Sequence, residues 1–270
     1  MKKLNTTELK RIQLKILQRV DEYCEQNNIH YFLMYGSLIG AIRHKGIIPW
    51  DDDIDICMNR KDYDNFIENF SSDMTDSFYV RSQKTDITFP FYYSKVCIRD
   101  THAFEPIDKQ DYDVGINIDL FPLDSVPDGL IKRVKQQIIV KICKIKLIPH
   151  TIDFGIKRSA CKRIILSFLS LMYRKPAYYY IQQIERIIDT HNDNTTFITE
   201  IMTPYGKRAV FPRVWFSKTI KVPFEGMMIP VPYEYHKILT RIYGDYMSPP
   251  QIDQQVSHHS CKAFSDCDLD

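Results

Sequence analysis

The run "WDDDIDICM" at residues 50–58 constrains this chain more than any other stretch of its 270 residues. Side chains of a strand alternate, so Asp53 and Asp55 share one face while Ile54 and Ile56 share the other. One face therefore needs apolar cover, and the other needs something to offset two like charges. Two carboxylates a dipeptide apart suit a hard divalent cation, since Mg²⁺ is commonly held by one or two carboxylates plus phosphate oxygens. Spacing of this kind also occurs in ordinary acidic loops, so the flanking sequence has to separate the two readings.

Three contexts favour a cation site. Upstream, the apolar strand pattern "HYFLMY" runs into Gly36-Ser37 and then the short helical pattern "LIGAIRH". Glycine allows close backbone approach, and the free N–H groups of a helix start, with the Ser37 hydroxyl, favour phosphate; an ordinary turn with a capping serine is the plain alternative. Downstream, Asp119 stands in "VGINIDLF", where Ile116, Ile118 and Leu120 alternate away from it and Asn117 shares its face. An acid on an apolar strand needs a partner or a cation. Cations are also at hand: Arg43, His44 and Lys45 close the short helix, and Lys95 and Arg99 lie on one strand pattern. Arginine suits bidentate phosphate contact and lysine acts as a point charge.

Asn5 with Glu8 forms a capping-box pattern that opens a helix to about Asn27. A second helix is expected over 60–70 and strands over 78–83, 91–100 and 114–121. The turn formers of "PLDSVPDG" (122–129) should end the strand region. Helical periodicity then fills 130–147, 157–172 and 176–191, strand and turn patterns return at 218–232, and a last helix covers 234–243. One α/β domain, 1–270, accounts for this order: a mixed sheet flanked by helices from about 1–125 and 197–270, interrupted by a helical insertion at about 126–196.

That insertion is where the charge lies. The chain carries a net +2, yet residues 130–175 hold twelve Lys or Arg against Asp153 alone, leaving a negative remainder. A basic section on an acidic body implies an anionic partner, an acidic site elsewhere, or both. The uncharged run "IILSFLSLMY" has ten residues, and a membrane-spanning helix needs about 20, so no transmembrane helix is expected. Seven scattered cysteines and no charged-then-apolar leader before Asn5 point to a reducing, cytoplasmic setting.

The blocks "GSLIGAIRHKGIIPWDDDIDI", "IDLFPLD" and "YGDYMSPP", with the weaker "FEG", resemble the LicD family of phosphocholine-type transferases, which includes the fukutin-related proteins and has the nucleotidyltransferase fold. The resemblance implies a nucleotidyltransferase-like core and transfer of phosphocholine from CDP-choline to a hydroxyl of a surface-glycan precursor, such as lipopolysaccharide or teichoic acid, with release of CMP. It implies Asp53, Asp55 and Asp119 as catalytic ligands of Mg²⁺ or Mn²⁺, and Gly36 and Ser37 as donor-phosphate contacts, alongside the countercharges Arg43, His44 and Lys95. Asp119, then His258, then Asp52 are the residues considered for taking the acceptor proton. Other CDP-alcohols (ribitol, glycerol, ethanolamine), nucleotidyl transfer to a sugar phosphate, and a silent glycan- or membrane-binding module are the rival readings.

A choline head group calls for aromatic faces. Trp50 is nearest the acids in sequence, although a packing role suits it equally. His258, His259, Cys261 and Cys267 match no common zinc spacing. The basic helices have two readings, a surface on an anionic membrane bearing a lipid-linked acceptor, or a solvated face over a core. The first would place the chain at the inner face of the membrane. Nucleic acid is not expected, because no aromatic interleaving accompanies the charge.

Overall fold

The computed structural model describes residues 2–70, 77–107, 110–151, 160–186, 188, 194–255 and 262–266. In chain order the elements begin with β1 (Lys2–Lys3), α1 (Thr6–Asn27), β2 (Tyr31–Leu33), α2 (Tyr35–Arg43), β3 (Asp55–Asn59) and α3 (Arg60–Asn69). The strand-rich part continues with β4 (Phe78–Arg81), β5 (Ser94–Ile98), β6 (Thr101–Ile107), β7 (Gln110–Asp113) and β8 (Asn117–Val126). Three helices follow, α4 (Leu130–Thr151), α5 (Ala160–Met172) and α6 (Ala177–Glu185). The chain then returns to strands β9 (Phe197–Thr199), β10 (Val210–Pro212), β11 (Thr219–Phe224) and β12 (Met227–Pro232), helix α7 (Tyr235–Tyr243) and strand β13 (Lys262–Ser265).

The architecture is α/β with mixed sheets, as expected. A seven-stranded sheet runs β10-β9-β8-β3-β2, with β5 also pairing β8 and β4 pairing β5. Strands β3 and β8 are parallel and the other pairs of this sheet are antiparallel. A smaller sheet, β1-β13-β6-β7, and the hairpin β11-β12 complete the strands.

The capping box forms as read: the Asn5 side chain accepts from the Glu8 N–H and Glu8 accepts from the Asn5 N–H, so two orphan donors at the start of α1 are satisfied. Leu9, Ile12, Ile16 and Val20 are buried at helical spacing along α1. Gln13 of the same helix reaches over to donate to the carbonyls of Asp52 and Asn117. The apolar faces of the acid-bearing strands, Ile54, Ile56, Ile118 and Leu120, are at most 1% exposed, and burying each such side chain contributes about 1.5–3 kcal/mol.

Three expectations need correction. Strand β3 begins at Asp55, so Asp53 sits in the extended segment before it. Helix α2 begins at Tyr35, which makes Gly36 and Ser37 part of its first turn. Strand β8 does not stop at Pro122 but runs to Val126. The Asp119 N–H faces β3, donating to the Ile54 carbonyl, so by alternation position 122 turns its nitrogen to the opposite edge. There the pairing with β5 ends at Leu120 and that with β9 starts at Asp124. Proline therefore falls in the gap, where no donor is required.

The helices α4 to α6 carry an unusual surface. Ile131, Val134, Ile138, Ile142 and Ile145 of α4 are exposed, as are Ile164, Ile165, Phe168, Leu171 and Met172 of α5. Their spacing in α4 places them in one stripe, with exposed Lys135 and Lys141 on its flanks. No described helix is long and apolar enough to cross a membrane.

Candidate active site

The parallel register of β3 and β8 sets Asp55 directly beside Asp119, and the antiparallel register of β5 sets Lys95 beside Asp119 on its other side. Paired strands lie about 4.8 Å apart, so Asp55, Asp119 and Lys95 form a row across three strands on one sheet face. Lys95 Nζ lies 2.7 Å from Asp119 Oδ1, 3.0 Å from Glu105 Oε1 and 3.2 Å from Asn117 Oδ1. Burial alone would lower the Lys95 ammonium, but Asp119, Tyr93 and Glu105 outweigh it and raise it. Lys95 is thus a buried partner of the acid row, and among the described residues it is not on the wall of the cavity that the row faces.

That cavity has a volume of about 710 Å³, within the range of small-molecule sites. Asp51, Asp53, Asp55 and Asp119 line it together with Gly36, at the N-terminal end of α2. Carboxylate atoms of Asp51, Asp52 and Asp53 lie within 4.8 Å of one another. Burial, then the charges of Asp53, Asp119 and Asp51, push the Asp55 carboxyl well above its ordinary range. Burial and Asp53 push Asp51 up to about 7. Asp119 rises to about 6 through burial, which Lys95 opposes. A donor set made of carboxylates alone, each unfavourable as an anion without a countercharge, suits a hard divalent cation such as Mg²⁺ or Mn²⁺.

The residues singled out by sequence divide into three groups. Asp53, Asp55, Asp119, Gly36, Arg43 and Trp50 meet at the cavity. Gly36 has a steric reason: a Cβ there would stand 2.7 Å from Asp51 Oδ2. Arg43 donates from Nη1 to the Tyr246 carbonyl at 2.8 Å and sits over the Trp50 ring. Ser37, His44, Lys95 and Asp52 are not on the cavity wall among the described residues. The Ser37 hydroxyl is buried and accepts from the Asp55 N–H at 2.8 Å, so it braces the acid strand. His44 caps the end of α2 and meets Trp50 edge-on. The carbonyl of Asp52 is held by Gln13. His258, His259, Cys261 and Cys267 lie outside the described residues.

The cavity also holds residues that sequence reading missed. Tyr35, Tyr93, Phe121, Glu200, Tyr205 and Tyr243 line it, and Asp245, Tyr246, Ser248 and Pro250 add a rim. The rim belongs to "YGDYMSPP", a motif with no role assignable from sequence. Another block gains an explanation: the Ile47 N–H donates to Glu225 Oε1 at 2.9 Å and the Glu225 N–H to the Lys45 carbonyl at 3.0 Å. A Cβ on Gly46 would come within 2.3 Å of Glu225 Oε1. "FEG" therefore pins the loop that leads into the acids.

An acid row on the interior strands β3 and β8 of a mixed sheet, beside a helix start, is an arrangement able to take a divalent cation next to a phosphate. Residues 28–126 match the family model described as LicD/FKTN/FKRP, nucleotidyltransferase domain. The lipopolysaccharide cholinephosphotransferase LicD of Haemophilus influenzae is 31% identical over 274 residues, spanning 98% of this chain and 99% of that protein. Shorter matches are an uncharacterized protein of Rickettsia typhi, 39% identical over 67 residues (24% of this chain, 22% of that one), and one of Rickettsia prowazekii, 44% over 48 residues (18% of each). The chain belongs to the LicD family. It is an enzyme of the phosphotransferase class.

Proposed function

We propose that the chain transfers phosphocholine from CDP-choline to a hydroxyl of a lipopolysaccharide-type glycan precursor, releasing CMP. The observation that carries this reading is the cavity in which four carboxylates meet the start of α2, in a chain alike over its full length to a cholinephosphotransferase. Asp53, Asp55 and Asp119 would hold Mg²⁺ or Mn²⁺, which neutralises charge on the pyrophosphate and on the departing CMP. Gly36, without a side chain, and the N–H groups of the first turn of α2 receive the donor phosphates. Lys95 holds Asp119 in place, and Ser37 holds the Asp55 backbone. The acceptor proton passes to a carboxylate within hydrogen-bond reach. Asp119 fits that role through the oxygen that Lys95 does not engage.

Purified protein with Mg²⁺, a glycan acceptor and a panel of CDP-alcohols tests the reading. CMP is expected from CDP-choline, only with acceptor present, and chelation by EDTA should abolish it. No CMP from any CDP-alcohol would overturn transferase activity, and preference for ribitol, glycerol or ethanolamine would reassign the donor.

The stripe on α4 and α5 supports a partner for the acceptor side. Exposed isoleucines flanked by Lys135 and Lys141, within a strongly basic segment, match the surface of an anionic bilayer on the cytoplasmic side. A second copy of the chain would bring like charges together. Each basic residue near such a surface contributes about 1 kcal/mol. In flotation assays the protein should rise with vesicles rich in anionic phospholipid but not with phosphatidylcholine alone, and Ile138→Glu with Ile142→Glu should stay at the bottom. Failure to float, or concentration-dependent dimerisation that the same substitutions abolish, would overturn the membrane assignment.

A further inference from the structure

Besides the carboxylates, the cavity is lined by a continuous chain of rings. Tyr93 meets Phe121 at 4.5 Å between centroids, Phe121 meets Tyr35 edge-on at 5.6 Å, Tyr35 stacks on Tyr205 at 5.7 Å, and Tyr205 meets Tyr243 at 5.3 Å. These residues come from the start of α2, from β8, from the approach to β5, from the segment after β9 and from the end of α7. Nothing local in the sequence joins them. Tyr35 holds a left-handed backbone, φ 50°, which is costly for a bulky residue and persists where surrounding structure fixes it.

Glu200 meets this chain of rings at Tyr35. It lines the cavity while only 3% exposed. Its Oε1 accepts from the Met202 N–H at 2.7 Å, and its Oε2 lies 3.5 Å from the Tyr35 hydroxyl. Burial pushes the Glu200 carboxyl up to about 7, against the pull of the Met202 N–H and the charge of Lys144. Lys144 itself donates to the Thr203 carbonyl at 2.7 Å, and among the described residues Glu200 has no ion-pair partner. A buried carboxylate without an ion-pair partner is costly as an anion, so a cation placed beside it would be favoured.

The rings also border the acid end. Besides burial, the charge of Asp55 helps raise the hydroxyls of Tyr35, Tyr205 and Tyr243. The acids and these rings line one cavity, so a donor bound at the acids has the rings within the same space. The chemistry of the box discriminates among head groups. A quaternary ammonium donates no hydrogen bonds and binds over ring faces. A primary ammonium needs several acceptors, and a polyol needs donors, whereas the Tyr205 and Tyr243 hydroxyls are already bonded to each other at 2.9 Å.

We propose that Tyr35, Tyr205 and Tyr243, with Glu200 as countercharge, form the subsite for the quaternary ammonium head group of the donor. This assignment rests on the phosphocholine reading for its ligand but not for its test. Binding of tetramethylammonium is measured by calorimetry on the wild-type chain, Glu200→Gln, Tyr243→Leu and Tyr243→Phe, each checked for folding by near-UV circular dichroism. Glu200→Gln and Tyr243→Leu should weaken binding about tenfold each, while Tyr243→Phe, which keeps the ring, should bind like wild type. In turnover, the same two variants should raise KM for CDP-choline, bring the choline-to-ethanolamine ratio toward one, and leave inhibition by CMP unchanged. Wild-type protein that binds tetramethylammonium in this pattern but turns over no CDP-alcohol would leave the subsite standing and remove the donor reading. Absent binding, an unchanged choline preference in folded variants, or CMP inhibition weakened in parallel, which would make the rings a nucleobase platform, each overturns the subsite.

Discussion

Asp55→Asn is expected to lower CMP release by more than about 10²-fold, beyond the roughly 10–100-fold loss typical of disturbing an outer partner of a metal ligand, while the metal-free protein melts no lower than wild type. The two halves of this expectation have one cause. Asp55 is half-buried in register with Asp119, close to Asp53 and Asp51, and its ionised form is opposed by all three. Asparagine has nearly the same shape, and the brace from Ser37 engages the backbone N–H, so the local fold survives the substitution. What disappears is a charge that Lys95 partly offsets. A metal-free chain loses repulsion and keeps its packing. An enzyme that needs a cation at this row loses it. Thermal melting adds a readout independent of turnover: Mg²⁺ at a hundredfold excess over its Kd should stabilise wild type by about 2.7 kcal/mol, and Asp55→Asn should lose most of that shift. Unchanged turnover, or an unchanged response to Mg²⁺, would remove Asp55 from the metal site.

The part of this site legible in the sequence is the part written by local periodicity. Asp55 and Asp119 each announce themselves as acids on strands whose other face is isoleucine and leucine, and Gly36 marks the change from strand to helix. Cations were legible as cations, but not their positions: Lys95 reads as a phosphate contact and instead sits in the row, bonded to Asp119. Ser37 reads as a phosphate contact and faces the Asp55 backbone. Glu200 and Tyr205 were invisible, and Tyr243 showed only as the first residue of "YGDYMSPP", for a physical reason. Glu200 lies 165 residues from the tyrosine whose hydroxyl it approaches, and only the register of the sheet and the packing of α7 bring them together. Strand β8 shows the opposite failure, a strong local signal overruled. Proline and aspartate in "PLDSVPDG" suggest a turn, but the unpaired stretch between β5 and β9 accommodates Pro122 within the strand.

The second acid of "IDLFPLD" is expected to matter for folding rather than turnover. Asp124 stands five residues after Asp119 on β8, and an odd separation on a strand places it on the opposite face. There it is fully buried against Arg60, which opens α3: the guanidinium contacts Asp124 Oδ1 at 2.6 Å through Nη2 and at 2.7 Å through Nε. Tyr92 joins both, accepting from Arg60 at 2.9 Å and donating to the other carboxylate oxygen of Asp124. Arg60 is only 5% exposed, so removing Asp124 leaves a cation in the core with the longer Asp64 contact, 3.5 Å, as its ion pair. Asp124→Ala should therefore cost about 3–5 kcal/mol in urea unfolding, whereas Arg60→Met combined with Asp124→Leu should recover most of it, because apolar side chains of similar size carry no desolvation penalty. Loss below about 1 kcal/mol in the single variant would mean that water or another acid already compensates Arg60. The pair thus separates two uses of aspartate within six residues of one strand: Asp119 lines a cavity while bonded to Lys95, and Asp124 faces the core, closed on Arg60 and Tyr92.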